Sequence, residues 1–433
     1  MRATVIALTL LLALPASLTS RADNLTLLYS GNLDGELEPC GCTLDTDFGG
    51  IQRRATFVDQ QREQNPQLVL ISSGGLFSPE MGSDQIKHRF ILTGLAQLNY
   101  DAVGLQWTDL THGPEFLKQV ALPFSAANWI GSEFPRSRLI ERNGHKIRYL
   151  QWLDPATSPY ASMPALSPIT PDSATLAAEL QKAEAAGELT MVATTLDLEQ
   201  ARAQLPLNQI DLLIIGSAYE LFSEPVALGN GPLVLQPGSR GQRMGKLTLD
   251  IADGRITGWN HLITELPDSV PSAARLDAWY QAYNDALRED YEQRVAQRQQ
   301  LDSGDSPYLG ADQCQSCHSD QFRLWQTTDH ARAFEDLEIV GKAFDSHCVG
   351  CHVVGFNQPG GYLDITLTDH LAGVQCENCH GGGREHAESA GQVATLNKEA
   401  AMETLCMQCH VKEHSPQFNV ETYWPRIAHP LSR

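Results

Sequence analysis

Positive charge is scarce in this 433-residue sequence: 31 Lys+Arg stand against 52 Asp+Glu, for a formal net charge of −21. Phosphate backbones would be repelled, which argues against nucleic acid as a partner. Long apolar runs are also missing. The run at residues 5–14 is too short to span a bilayer, and no later segment is long and apolar enough to do so. Cysteine is absent from residue 43 to residue 313. The histidines of that stretch, His88, His112, His145 and His261, are scattered and fit no metal spacing, so ordinary structural roles suit them best. Hydrophobic content of 42% and aromatic content of 7% are ordinary for soluble globular chains, and the length suggests two or three domains.

What is present is concentrated at the other end. Eight of the ten cysteines fall in four copies of one phrase: Cys314-Gln-Ser-Cys317-His318, Cys348-Val-Gly-Cys351-His352, Cys376-Glu-Asn-Cys379-His380 and Cys406-Met-Gln-Cys409-His410. Each is a c-type haem attachment signature. Two thiols three positions apart reach the two vinyl groups of one porphyrin and form thioethers, and the following histidine becomes the proximal iron ligand. Disulfides need no such regularity, and a zinc ribbon needs no histidine after every second cysteine. Four covalent haems are therefore expected, with His318, His352, His380 and His410 on the irons. Residues 307–433 give 127 residues to four porphyrins, about 32 each. So short a chain cannot wrap each haem in a private core, so the haems must form the core themselves. This segment carries 8 Lys+Arg and 16 Asp+Glu, so a docking partner is expected to present a basic patch.

Earlier in the chain, residues 1–22 read as a secretory signal. Arg2 supplies the positive start and Ser20-Arg21-Ala22 a small-x-small cleavage site. Export to the periplasm or beyond agrees with haem attachment, which takes place outside the cytoplasm. Residues 23–265 alternate short apolar strands, at 25–29, 68–72, 102–105, 149–152, 190–194, 212–215 and 233–235, with helical stretches such as 51–63, 84–98 and 173–186. That alternation indicates an α/β layered domain. Two hairpins are expected, one turning on Asn143-Gly144 and one on Asp253-Gly254. Cys40 and Cys42 follow the first strand, at the ligand-binding edge of an open α/β sheet. They suit a local disulfide across Gly41, a redox-active dithiol, or a soft-metal or sulfur-ligand site. Residues 266–306 form a linker holding a polar helix over 276–300, which could pack on either neighbour.

The first domain resembles the calcineurin-like metallophosphoesterase domain of periplasmic nucleotidases and UDP-sugar hydrolases. The likeness rests on Tyr29-Ser-Gly-Asn-Leu-Asp-Gly35, Gly49-Gly-Ile-Gln-Arg-Arg54, Ser73-Gly-Gly-Leu-Phe-Ser78, Asp101-Ala-Val103, Ala126-Ala-Asn128 and Gln236-Pro-Gly-Ser-Arg-Gly241. The departures matter more. The family's Asp-x-His falls on Asn32 and Asp34, its Gly-Asp on Gly74-Gly75, and its Gly-Asn-His-Glu on Gln106-Trp107-Thr108-Asp109. Its later histidines fall near Leu196 and on Gly216-Ser-Ala-Tyr219. The resemblance therefore implies a phosphoesterase-like fold without metals or hydrolysis, kept as a docking or scaffold module.

The C-terminal domain resembles the tetrahaem cytochrome that accepts electrons from hydroxylamine oxidoreductase in nitrifying bacteria. The resemblance runs through Tyr308-Leu-Gly-Ala-Asp-Gln-Cys314, Trp325-Gln-Thr-Thr-Asp-His-Ala331, Gly360-Gly-Tyr362 and Gly373-Val-Gln-Cys-Glu-Asn-Cys-His-Gly-Gly382. It implies that His330 serves the iron of His380 and His386 that of His410. His429, or else His414, would serve the iron of His318. The family's second haem lacks a strong sixth ligand; His347 and His370 are the nearest spares here. The fold expected is thus an α/β layered metallophosphoesterase-like domain followed by a mostly α, haem-packed multihaem cytochrome c domain. The function expected is exported electron transfer between redox proteins. The alternative is an oxidoreductase that binds a small nitrogen or sulfur species at an open second haem.

Overall fold

The computed structural model describes residues 23–40, 47–78, 84–129, 131–158, 173–217, 222–301, 304–397, 401–411, 415 and 417–429. The expected signal, residues 1–22, lies outside them, as do Cys42, the Cys40 side chain and His414.

The first unit holds two six-stranded sheets. One is built from β1 (Asp23–Ser30), β2 (Val69–Ser72), β3 (Ala102–Gly104), β4 (Phe124–Ser125), β11 (Arg243–Ala252) and β12 (Arg255–Glu265), in the order β12-β11-β1-β2-β3-β4. The other takes β5 (Arg138–Arg142), β6 (His145–Trp152), β7 (Leu189–Thr194), β8 (Leu212–Ile215), β9 (Ser223–Ala227) and β10 (Leu233–Gln236), in the order β9-β10-β8-β7-β6-β5. In the first sheet four parallel strands end at the β4 edge and meet antiparallel β11 and β12 on the other side; in the second a parallel centre is flanked by antiparallel strands at both edges. Both expected hairpins are present, as β5–β6 and β11–β12. The sequence gives no sign of β4, only two residues long, or of β9, whose Ser-Glu-Pro-Val-Ala is too polar to announce a strand; its proline is tolerated because β9 is an edge.

Strand alternation sorts the core into layers. Leu25, Leu27 and Tyr29 of β1 point into the space between the sheets, where they meet Tyr149, Met191, Ile214 and Leu235. Leu28 points the other way, toward α1 (Ile51–Gln64) and α2 (Gln85–Ala96). Leu176 and Leu180 of α3 (Ala174–Ala185) cover the outer face of the second sheet against Val192, Leu213 and Val234. The result is four layers, α/β/β/α. Strands buried on both faces explain the unbroken apolar runs at β2 and β8.

The C-terminal unit is helical, with short segments such as Ser319–Gln326, Ala333–Ile339, Ser346–His352, Cys376–His380 and Arg384–Glu388. Its own apolar core among the described residues is small: Phe334, Leu337, Val349, Val353, Val354, Tyr362 and Leu371.

The polar helix of the linker, α4 (Asp277–Leu301), packs on both neighbours rather than one. Its first half sends Trp279, Tyr283 and Leu287 into the core of the first unit. In its second half the Tyr291 hydroxyl donates to the Leu363 carbonyl at 3.2 Å, and Arg298 donates to the carbonyls of Tyr362 and Leu363. Lys342 returns the contact, pairing with Glu38 at 2.7 Å and donating to Asn284 at 2.8 Å.

The seat of α4 on α2 is tight at Gly94. A Cβ there would come within 2.5 Å of the Trp279 ring. In a free helix Gly→Ala gains about 1 kcal/mol. Here the overpacking term of about 1–3 kcal/mol should win. Gly94→Ala is expected to lower stability in chemical denaturation; a gain would mean that Trp279 is not seated there.

Candidate haem-binding site

The loops at the C-terminal ends of β1, β2, β3 and β8 converge at one edge of the sheets, where the resemblance implies a two-metal site. Side-chain amides occupy that place here. Asn32 and Gln106 exchange hydrogen bonds, Nδ2 to Oε1 at 3.1 Å and Nε2 to Oδ1 at 2.8 Å. Gln106 also donates to the carbonyls of Ser73 and Gly216, and Asn32 donates to Asp34. A Cβ at Gly75 would sit 2.2 Å from the Asn32 amide, so no carboxylate fits at that step. Asp109 is fully buried. Burial pushes it up to about 6, although its oxygens accept backbone N–H groups from Gly75, Leu76 and Gln106 that work the other way. Its contacts hold the loop shut rather than open it to a ligand. Leu196 is buried, and residues 218–221 lie outside the described set.

The four Cys-x-x-Cys-His phrases adopt helical turns. The His318 and His410 amides donate to the carbonyls of Cys314 and Cys406, each at 2.9 Å, and the second and third phrases end the helices Ser346–His352 and Cys376–His380. A helical turn brings positions i, i+3 and i+4 to one side, so both thiols and the imidazole of each phrase share a face. The phrases also meet one another. Cys376 lies beside Cys314 and, with burial and the charge of Glu377, pushes the Cys314 thiol up. Cys351 and Cys409 form the second such pair, and Cys351 is pulled down to about 7 by it.

Three pairs of imidazoles stand opposite each other. His318 and His386 have ring centroids 6.0 Å apart and planes 24° apart; His330 and His410 are at 6.1 Å and 39°; His380 and His429 are at 5.9 Å and 38°. All three candidate distal histidines thus stand opposite a histidine of the repeated phrase, but in each case not the one expected. His330 faces His410 rather than His380, His386 faces His318 rather than His410, and His429 faces His380 rather than His318. A backbone tie accounts for one of these. Arg384, two residues before His386, is held by the carbonyls of Ser306 and Pro307, on the strand of chain that leads into the first phrase. The His330 carbonyl accepts from Val374, so its backbone lies beside the third phrase while its ring reaches past it. Burial, with the opposed imidazole next in size, pushes His330 and His380 down, which favours the neutral, iron-binding form.

His352 differs. Its Nδ1–H donates to the Ala333 carbonyl, which leaves Nε2 free. Among the described residues no imidazole stands opposite it. Of the two spares, His347 pairs with Asp84 at 2.8 Å across the contact between the units, and His370 is half exposed beside Asp369.

Of twelve large apolar side chains exposed among the described residues, seven belong to this unit: Ile339, Val340, Leu367, Val393, Leu396, Met407 and Trp424. Thiols, opposed imidazoles and uncovered apolar side chains together form a donor set and a surface that fit porphyrins.

Fold and site define a two-part protein, a metallophosphoesterase-like α/β unit joined to a helical cytochrome c domain. Residues 313–381 match the family described as cytochrome c554 and c-prime. Cytochrome c-554 of Nitrosomonas europaea is 36% identical over 147 residues, 26% of this chain and 62% of that protein. Snake venom 5'-nucleotidase of Naja atra is 27% identical over 114 residues, 24% of this chain and 22% of that one. The chain therefore spans less than two thirds of either relative. Two Thermus thermophilus structures share the fold of the first unit. The 5'-nucleotidase precursor has a TM-score of 0.52 at 17% identity, covering 61% of this chain and 59% of its own. The sulfate thiohydrolase SoxB has 0.53 at 15%, covering 61% of each. Among the described residues no helix is long and apolar enough to cross a membrane.

The structure also joins two histidines that the sequence left apart. His88 Nδ1 lies 2.8 Å from His112 Nε2, and the buried His88 ring stacks on Phe77 at 4.2 Å. Burial, then the neighbouring His112, pushes His88 down to about 4 from 6.5. A folded-state value below the unfolded one gives stability that is complete above about pH 6.5 and is lost as pH falls toward 4. At 1.36 kcal/mol per unit the loss is on the order of 3 kcal/mol. His347 works in the opposite sense: Asp84 holds it up, so its contribution is present below pH 6.5 and lost as pH rises through its folded value. Urea denaturation at pH 4 to 8 should show the acid-side loss in the natural protein and a flatter curve in His88→Gln. Parallel curves would assign the loss elsewhere.

Proposed function

We propose that this chain is an exported electron-transfer protein that holds four covalent haems in its C-terminal domain. The observation that carries the reading is the set of three opposed imidazole pairs at 5.9–6.1 Å, each with one member from a Cys-x-x-Cys-His phrase. Two metal–nitrogen bonds of about 2 Å each, plus the half-width of each ring, put opposed imidazole centres roughly 6 Å apart. Cys314 and Cys317, Cys348 and Cys351, Cys376 and Cys379, and Cys406 and Cys409 supply the thioether sulfurs. His318, His352, His380 and His410 are the proximal ligands, and His386, His429 and His330 complete the first, third and fourth sites. When bound, each haem supplies a one-electron couple between Fe(III) and Fe(II). Cys314 beside Cys376 and Cys351 beside Cys409 pair the first phrase with the third and the second with the fourth, which supports electron transfer within each pair.

Residues 1–22 are the export signal, residues 23–265 the docking or scaffold module, residues 266–306 the connection and residues 307–433 the redox domain. The net charge of −21 selects redox partners with a basic face. The bridge made by α4 and Lys342 supports a module that orients the redox domain.

A second reading has one observation in its favour. With no imidazole opposite His352 among the described residues, the second site suits an open coordination position for a small nitrogen or sulfur species.

The pyridine haemochrome assay should give four haems per chain; two or fewer overturns the main reading. Electron paramagnetic resonance should show three low-spin ferric signals and one high-spin signal. Converting His386, His429 or His330 singly to Ala should turn one further site high-spin and carbon monoxide-reactive. Four low-spin signals and no reaction with carbon monoxide in the natural protein would remove the second reading.

A further inference from the structure

Between the two cysteines of the third phrase sits Glu377, 4% exposed. Both of its oxygens accept from the Leu309 amide at 3.0 Å, Oε2 accepts from Gly310 at 2.8 Å, and Oε1 accepts from Gly383 at 2.8 Å. Leu309 and Gly310 lead into the first phrase, and Gly383 leads out of the third. Gly310 has φ +80°, and a Cβ there would meet the His370 carbonyl at 2.5 Å, so only glycine lets this backbone approach the carboxylate. Among the described residues no lysine, arginine or histidine nitrogen lies within ion-pair distance of Glu377. A carboxylate is therefore buried on backbone N–H groups alone, the arrangement that charge-assisted hydrogen bonds favour.

The neighbouring positions extend the same device. Gln375 accepts from the Ala311 amide at 2.6 Å and donates to the carbonyls of His370 and Ala372. Asn378 donates to the Val353 carbonyl, just past the second phrase, at 2.8 Å. A c-type haem signature leaves its two middle positions free, and here both are used to fasten one phrase to the others.

We infer that Glu377 is a positioning residue with an electrostatic duty: it locks the first attachment site against the third, and its charge lowers the reduction potentials of the haems at those two sites. The inference rests on the four-haem reading. A nearby fixed negative charge stabilises the ferric state, which carries one positive charge more than the ferrous state. The sites carried by the second and fourth phrases have no such carboxylate between their cysteines: their middle residues are Val349-Gly350 and Met407-Gln408.

Glu377→Gln and Glu377→Asp test it on the full, haem-loaded chain by spectroelectrochemical titration, with haem content measured alongside. In Glu377→Gln two of the four components should rise, each by about tenfold in the reduced-to-oxidised ratio, which is 59 mV for one electron, while the other two stay. Glu377→Asp keeps the charge but draws it back from Gly383; its potentials should stay within threefold of the natural protein while its melting temperature falls. Four unmoved components in a fully loaded Glu377→Gln, or four that rise together, overturn the inference. Should Glu377→Gln fail to take up haem, Glu377→Asp decides: unmoved potentials with a lowered melting temperature uphold it, raised potentials overturn it. A natural protein without four haems is a separate result, and it removes the four-haem reading itself.

Discussion

A shortage of apolar surface governs the C-terminal unit. Among the described residues, a packed cluster of seven buried side chains is too small to order residues 307–433 by hydrophobic packing. Directional contacts to the backbone take over. Gln375, Glu377, Asn378, Trp325, Arg384 and Asn397 each send a side chain to a main-chain group of a distant segment. Hydrogen bonds of this kind contribute modestly one by one, about 1 kcal/mol net each. They fix angle and register, which is what sites built from separate turns need.

The first unit shows the opposite economy of means. Its core is large and layered, and the loops at its strand ends are closed by amides that satisfy one another. Asn32 and Gln106 carry no charge, so their burial needs hydrogen bonds but no counter-ion. Cations held there by carboxylates and imidazoles would have no comparable set of donors to meet. The fold persists because its stability resides in the four layers, not in the loops at the strand ends.

Legibility in the sequence followed the range of the interactions. The strands of both sheets were readable because apolar alternation and turn residues are local, as with Asn143-Gly144 and Asp253-Gly254. The repeated phrases were readable because a single helical turn contains all of their chemistry. His330, His386 and His429 were readable as residues, yet their partners were not. Which ring faces which depends on links such as Arg384 reaching Ser306, across tens of residues that no spacing rule encodes. The contact between His88 and His112 was hidden for the same reason, and β9 because an exposed edge needs no apolar pattern.

The helix α4 belongs to two cores at once, with Trp279, Tyr283 and Leu287 in one and Tyr291 and Arg298 against the other. A rod clamped at both ends gives no hinge. Relative swinging of the two halves would have to break the rod or pull out one clamp. Any partner that grips the first half thereby fixes the orientation of the second, and the distance from grip to redox face becomes a property of the rod's length instead of a loop's wandering.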